Sequence, residues 1–183
     1  VAQDPNDASH YFVTTYGTGM MEMRDTSMVK LHLPSNSYLY PAAADNPDLY
    51  TRTDGAMYDE QGNLWILNPG NVKGNVHVIS RDGVHSSFNL SDNGRNITLE
   101  TPGEILVDSR DPQWKWIPSL RKDAGLILLK DNGTPSYHRD DVVKYHRSWV
   151  DQNGTNVIPA SIRAIAQDKN HTIWVGTSSG IFA

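Results

Sequence analysis

No cysteine occurs among the 183 residues. That absence excludes disulfide scaffolds, zinc ribbons, thiol nucleophiles and thiol redox sensing, and it leaves the compartment open. Long apolar runs are missing as well. The longest, such as Gly125 to Leu129, are far too short to cross a bilayer. Basic residues are outnumbered, with 16 Lys+Arg against 21 Asp+Glu and a net charge of −5. A nucleic-acid binder needs a basic face, so that class is not expected. The N-terminus, Val1 to Pro5, is polar and lacks the charged and apolar tracts of a signal peptide. The chain is expected either to stay in the cytoplasm or to have lost a leader. What is present is 38% hydrophobic residues, 14 glycines, 10 prolines, 8 tyrosines and 5 tryptophans. This is enough apolar content for a core, broken into short runs that suit strands and turns better than helices.

The chain repeats itself. Ala56 to Asn68 reads strand, turn, strand, and so does Ile165 to Thr177. Asp59 precedes Trp65 by the same spacing with which Asp168 precedes Trp174. A third copy runs from Ile105 to Pro118, with Asp108 followed by Trp114 and Trp116. Trp116 fits the pattern better if the turn is two residues longer. A glycine and a second hairpin follow each copy, at Gly74 and Gly125 and, cut short, at Gly180. Tyr11 to Met20, with Gly19, supplies an earlier copy. Arg81-Asp82-Gly83 and Asp131-Asn132-Gly133 are hairpin turns, since Asp-Gly and Asn-Gly accept positive φ. The recurrence is about fifty residues with four strands to a unit, which is the signature of a β-propeller blade. The expected fold is all-β, a partial propeller of about three and a half blades. Its units run approximately 1–40, 41–92, 93–140 and 141–183, with three, four, four and three strands. Residues 34–50 and 137–158 are expected as connections, the second as a loop or with a short helix near Asp140 to Lys144.

In this reading Trp65, Trp116 and Trp174 pack between blades. Asp59, Asp108 and Asp168 bond to turn amides rather than catalyse. Gly19, Gly74, Gly125 and Gly180 give backbone freedom.

Ile162 to Ile181 resembles the two-component regulator propeller repeat: an aspartate, then apolar-Trp-apolar-Gly-Thr, then a glycine with an apolar residue. Tyr58 to Ile66 is similar, with Leu67-Asn68 where Gly-Thr is usual. The succession of Val78 to Gly83, Trp116 to Ser119, Gly125 to Thr134 and Asp151 to Gly154 is similar to PorZ-like propellers of the type IX secretion system of Bacteroidetes-type bacteria. The resemblance implies an extracytoplasmic place at the periplasm or cell surface and a glycan or lipopolysaccharide ligand. It also implies secretion or signalling components as partners and no catalysis. Two other readings stand beside it: a periplasmic oligosaccharide-sensing propeller of a hybrid two-component system, and a glycan-active propeller enzyme. The family's proteins are much longer, so the chain is expected to be a fragment that begins and ends inside a unit. A homodimer would supply enough strands for seven blades.

Direct signs of chemistry are sparse. No two of the histidines, at 10, 32, 77, 85, 138, 146 and 171, have zinc-site spacing. His77 and His85 flank one hairpin and could approach across it, with a solvated face the expected placement. The aspartate loops at Asp131 and Asp151 carry their glycine too early for calcium, so they read as turns. Ser86-Ser87 and Ser178-Ser179 lack a nucleophile elbow. The side chains of Asp140 and Asp141 point apart. No catalytic residue, metal ligand or cofactor is therefore expected. One group combines basic and aromatic character: Arg110, Trp114, Lys115, Arg121 and Lys122. These are the candidate ligand-binding residues, since aromatic faces stack on sugar rings and cations hold carboxylate or phosphate.

Overall fold

Each repeated aspartate closes a tight turn and holds the ring that follows it. The computed structural model describes residues 1–43 and 45–183. Asp59 Oδ1 accepts hydrogen bonds from the Gln61 and Asn63 amides at 3.0 and 2.9 Å, and its Oδ2 accepts one from Trp65 Nε1 at 2.9 Å. Asp168 does the same for Asn170, Thr172 and Trp174. Asp108 accepts from the Arg110 amide and from Trp116 Nε1 at 3.2 Å, so Trp116 and not Trp114 is its partner. Asp4 accepts from the Asn6 amide and faces His10 Nδ1 at 3.2 Å. A histidine thus stands in the first unit where later units use tryptophan. One carboxylate both shapes the hairpin and fixes a ring rotamer, which explains why the two residues recur together.

Among the described residues the strands form four antiparallel sheets of three or four strands, in chain order, and two two-stranded ribbons. The first holds β1 (Ala2–Asp4), β2 (Asp7–Thr14), β3 (Met20–Arg24) and β4 (Ser27–His32). The second holds β5 (Ala56–Tyr58), β6 (Leu64–Leu67), β7 (Val76–Ile79) and β8 (His85–Phe88). A ribbon of β9 (Ser91–Asp92) and β10 (Arg95–Asn96) then leads to the third sheet. This contains β11 (Leu106–Val107), β12 (Trp114–Ser119), β13 (Gly125–Lys130) and β14 (Val142–His146). A second ribbon, β15 (Trp149–Val150) and β16 (Asn156–Val157), precedes the last sheet of β17 (Ile162–Gln167), β18 (Ile173–Thr177) and β19 (Gly180–Phe182). The fold is all-β, a four-blade propeller arrangement of small antiparallel sheets.

Three details differ from the sequence reading. The first sheet has four strands, because Asp4 to Asp7 makes a hairpin turn that puts β1 beside β2. The segment at Asp140 to Lys144 is neither helix nor free loop. It enters β14, which pairs with β13 from Leu126↔His146 to Lys130↔Val142. The third sheet consequently runs past residue 140, and the rest of the expected 137–158 connection shrinks around β15–β16.

The core lies between sheets. Phe12, Met20, Leu39, Leu64 and Ile66 fill the space between the first and second. Trp65, Leu67, Val76, Val78, Ile117, Ile127 and Leu129 fill the next. Leu126, Ile162 and Val175, with Trp116, fill the third. All of Leu64–Leu67 is buried, because the second blade is covered on both faces and each residue of β6 meets a neighbour. Trp65 is 0% exposed, whereas Trp174 is 44% exposed among the described residues. Trp65 and Trp116 pack in the clusters between neighbouring sheets.

The repeated glycines serve two purposes. Gly19 and Gly180 have positive φ, 75° and 130°. At Gly125 the need is space: a Cβ there would lie 2.6 Å from the Tyr145 ring and 2.7 Å from the His146 carbonyl oxygen.

Candidate functional site

The predicted ligand-binding residues do not come together. Lys115 is 1% exposed, and its Nζ donates to Asp131 Oδ2 at 2.7 Å while standing 4.3 Å from the Trp65 ring centre. It is an interior cation between the second and third blades, and no external ligand reaches it. Strand alternation accounts for this: Trp114 and Trp116 turn toward the fourth blade, and Lys115 turns the other way. Trp114 is half-buried, with Lys130 Nζ 5.1 Å from its ring centre. Arg110 pairs with Asp108 at 3.3 Å at the start of β12. Arg121 and Lys122 lie beyond its far end, separated by a six-residue strand of roughly 20 Å. Lys122 donates to Glu100 at 2.6 Å. The five residues therefore belong to three separate places.

A polar cleft does form next to that far end. The ribbon β9–β10 turns at Asn93 and Gly94, both with positive φ, as a two-residue hairpin loop requires. Asp92 Oδ2 then accepts the Tyr145 amide at 3.2 Å, which ties the ribbon to β14. The turn before β13 brings Asp123 to the other wall. Arg147 Nη2 donates to Asp123 Oδ1 at 2.8 Å, and the Tyr145 hydroxyl donates to the Asp123 carbonyl. The resulting cleft has a volume of about 530 Å³, and its walls include Asp92, Arg95, Asn96, Asp123, Tyr145 and Arg147. Arg95 is exposed and, among the described residues, has no ion-pair partner. Burial first, and Asp123 nearby, push the Tyr145 hydroxyl pKa up, so it stays neutral and able to donate. The cleft thus offers guanidinium and amide donors, carboxylate acceptors and part of an aromatic ring. That set suits a hydroxylated ligand carrying an anionic group. The Asn93-Gly94 dipeptide is the local sequence signal for this ribbon.

Two more polar clusters lie in the first two blades. Glu22 accepts from His32 Nε2 at 2.9 Å and faces His10 Nε2 at 3.1 Å, while His10 Nδ1 faces Asp4. Burial raises the Glu22 pKa, but the hydrogen bonds from His32 and His10 outweigh it and leave the value below normal. Tyr58 is pushed up to about 12, by burial first and then by the Asp4 and Glu22 charges. In the second blade, His77 and His85 meet at 3.0 Å, and His77 is fully buried. The expected solvated face is wrong for His77, because the connection bearing Tyr40 covers it; the two rings are 5.6 Å apart. Among the described residues, no cluster of three or more His, Asp or Glu side chains is arranged to hold a metal ion.

Comparison with known proteins places this geometry. Residues 156–179 match the two-component regulator propeller repeat, so the chain carries at least one such unit. The whole fold superposes on PorZ, an essential bacterial surface component of the type-IX secretion system of Porphyromonas gingivalis. The TM-score is 0.82 and the identity 25%, covering 99% of this chain and 24% of that one. It is also similar in fold to the extracellular domain of a putative hybrid two-component system from B. thetaiotaomicron. There the TM-score is 0.53 and the identity 19%, covering 98% of this chain and 26% of that one. This chain thus spans about a quarter of the length of each. No curated protein sequence matches it.

Proposed function

We propose that this chain is a non-catalytic, ligand-binding part of an extracytoplasmic propeller protein of the type IX secretion kind. In that reading it works at the periplasmic or outer surface, beside other secretion components, and the cleft at Arg95 and Arg147 holds an anionic glycan such as lipopolysaccharide. The observation that carries the reading is the superposition of nearly the entire chain on a surface component of that system. The cleft supports it chemically: an unpaired guanidinium and a second one held by Asp123 flank hydroxyl-binding groups. A sensing propeller is the second reading, favoured by the repeat match at residues 156–179.

The test is calorimetric titration with an anionic oligosaccharide and with lipopolysaccharide. A charge-assisted hydrogen bond contributes about 1.5–3 kcal/mol, so Arg95→Ala weakens binding by roughly 10- to 100-fold. Arg121→Ala and Lys122→Ala, on the adjoining turn, change it much less. Equal binding by wild type and Arg95→Ala removes the cleft from the reading. Binding by neither ligand to the wild-type chain overturns the glycan assignment.

A further inference from the structure

The dipeptide Asn-Gly occurs at Asn93, Asn132 and Asn153. It is chemically labile, because the glycine nitrogen can attack the asparagine side-chain carbonyl and no side chain shields it. Tertiary structure decides which of these nitrogens is free. Gly133 N donates to Asp131 Oδ1 at 3.2 Å, and the Asn132 side-chain amide donates to the Asp140 carbonyl. Gly154 N donates to the Asp151 carbonyl at 3.0 Å, and Asp151 Oδ1 accepts the Asn153 and Thr155 amides at 2.8 Å. Gly94 N has no acceptor among the described residues, and a Cβ on Gly94 would meet nothing within 4 Å.

The local fold widens the difference. Asn93 and Gly94 form the tip of the β9–β10 ribbon, both exposed and both at positive φ. Ring closure requires the tip to leave that turn. Two residue pairs, Asp92↔Arg95 and Ser91↔Asn96, hold the ribbon, so its opening is a local event. Asn93 Nδ2 donates to Asp92 Oδ1 beside it at 2.9 Å, an exposed bond on the nitrogen that departs rather than on the one that attacks.

We propose that Asn93 is a site of spontaneous, selective deamidation. Gly94 N gives up its proton and bonds to Asn93 Cγ. The Cγ–Nδ2 bond breaks, and the side-chain nitrogen leaves with that proton as ammonia. Water then opens the cyclic imide at either carbonyl, leaving a carboxylate on a normal or a lengthened backbone. No electrons are exchanged, and water is the only co-reactant. The product stands in the wall of the arginine cleft, which Asn93 lines. There the carboxylates of Asp92 and Asp123 balance the guanidiniums of Arg95 and Arg147, so one more carboxylate makes the wall net negative. The reaction runs one way, and the cleft loses attraction for anions as the molecule ages. The deamidation needs no ligand; its effect on ligand binding rests on the proposed function of the cleft.

The experiment incubates the full chain at mildly alkaline pH, folded and in urea, and follows each Asn-Gly peptide by mass spectrometry. In urea the three sites are expected to convert at similar rates. A glycine nitrogen that must first give up a hydrogen bond reacts roughly 5-fold more slowly. In the folded chain Asn93 is therefore expected to convert at least roughly 5-fold faster than Asn132 and Asn153. Asn93→Gln, whose longer side chain closes the ring far more slowly, removes the fast phase. Equal folded rates at the three sites overturn the proposal. So does faster conversion at Asn132 or Asn153, or an Asn93 that converts in urea and stays intact when folded. Asn93→Asp carries the product's charge and is expected to bind lipopolysaccharide roughly 10-fold more weakly than wild type. Equal binding overturns the charge effect. Binding by neither protein overturns the anionic-ligand reading of the cleft, while the mass spectra still decide the deamidation.

Discussion

Acid should destabilise this protein through one buried ring. His77 sits behind Tyr40 with its pKa lowered to about 3, mainly by desolvation and then by His85 beside it, against a raising bond to the Gly74 backbone. The unfolded ring takes up a proton near its ordinary value of 6.5, while the folded one refuses it down to about 3. Between those values the unfolded state binds more protons, so stability falls as pH falls. Linkage puts the loss at about 2 kcal/mol at about pH 5 and about 3 kcal/mol at about pH 4. Urea titrations at about pH 7 and about pH 5 measure it, with His77→Gln as the non-titrating reference. Glutamine keeps a donor for Asn68 and an acceptor for His85. The wild type is expected to lose about 2 kcal/mol more than the variant between the two conditions, at unchanged m-value. Carboxylates held below their normal range, such as Asp108 at about 2, titrate alike in both proteins and cancel. Equal losses in the two proteins refute the reasoning, because the ring would then be titrating freely when folded.

Two further predictions follow from the packing. Trp65→Ala should cost about 3–5 kcal/mol, whereas Trp174→Ala, on a half-open face, should cost far less in this chain. Thermal and urea unfolding distinguish them, and similar costs would show that the blade-to-blade packing is misassigned. Lys115→Met leaves the Asp131 carboxylate buried without its cation and should cost about 3–5 kcal/mol. Adding Asp131→Asn should restore part of that loss in a double-mutant cycle, and strict additivity would mean the pair is not coupled.

Much of the architecture was legible because it repeats. Asp59 with Trp65 and Asp168 with Trp174 act within one hairpin, so their spacing carries the geometry directly. The longer turn at Asp108 was legible because Trp116, with the Ile-Pro that follows it, fits the repeat better than Trp114, and Trp116 is the ring that meets the carboxylate. Local signals failed where none exists or where one went unread. β1 was missed because Asp4 to Asp7 turns without an Asn-Gly or Asp-Gly pair. β14 was misplaced because the chain runs from Thr134 to Asp141 before the outer strand begins. The ribbon at Asn93-Gly94 was readable and was overlooked.

The sites are another matter. Lys115 looked like part of a basic, aromatic ligand patch, and it lies in the interior over Trp65. His77 and His85 looked solvated, yet His77 is buried and bonded between half-buried His85 and Asn68. Alternation along a strand says which residues share a face. It does not say whether another blade, a connection or water covers that face. By itself the sequence determined the repeat, the all-β class and the turn chemistry, all of which act within a few residues. Only the tertiary structure decided which polar side chains are entombed and which line a cleft. Burial at a blade interface is set by the neighbouring blade, about fifty residues away along the chain.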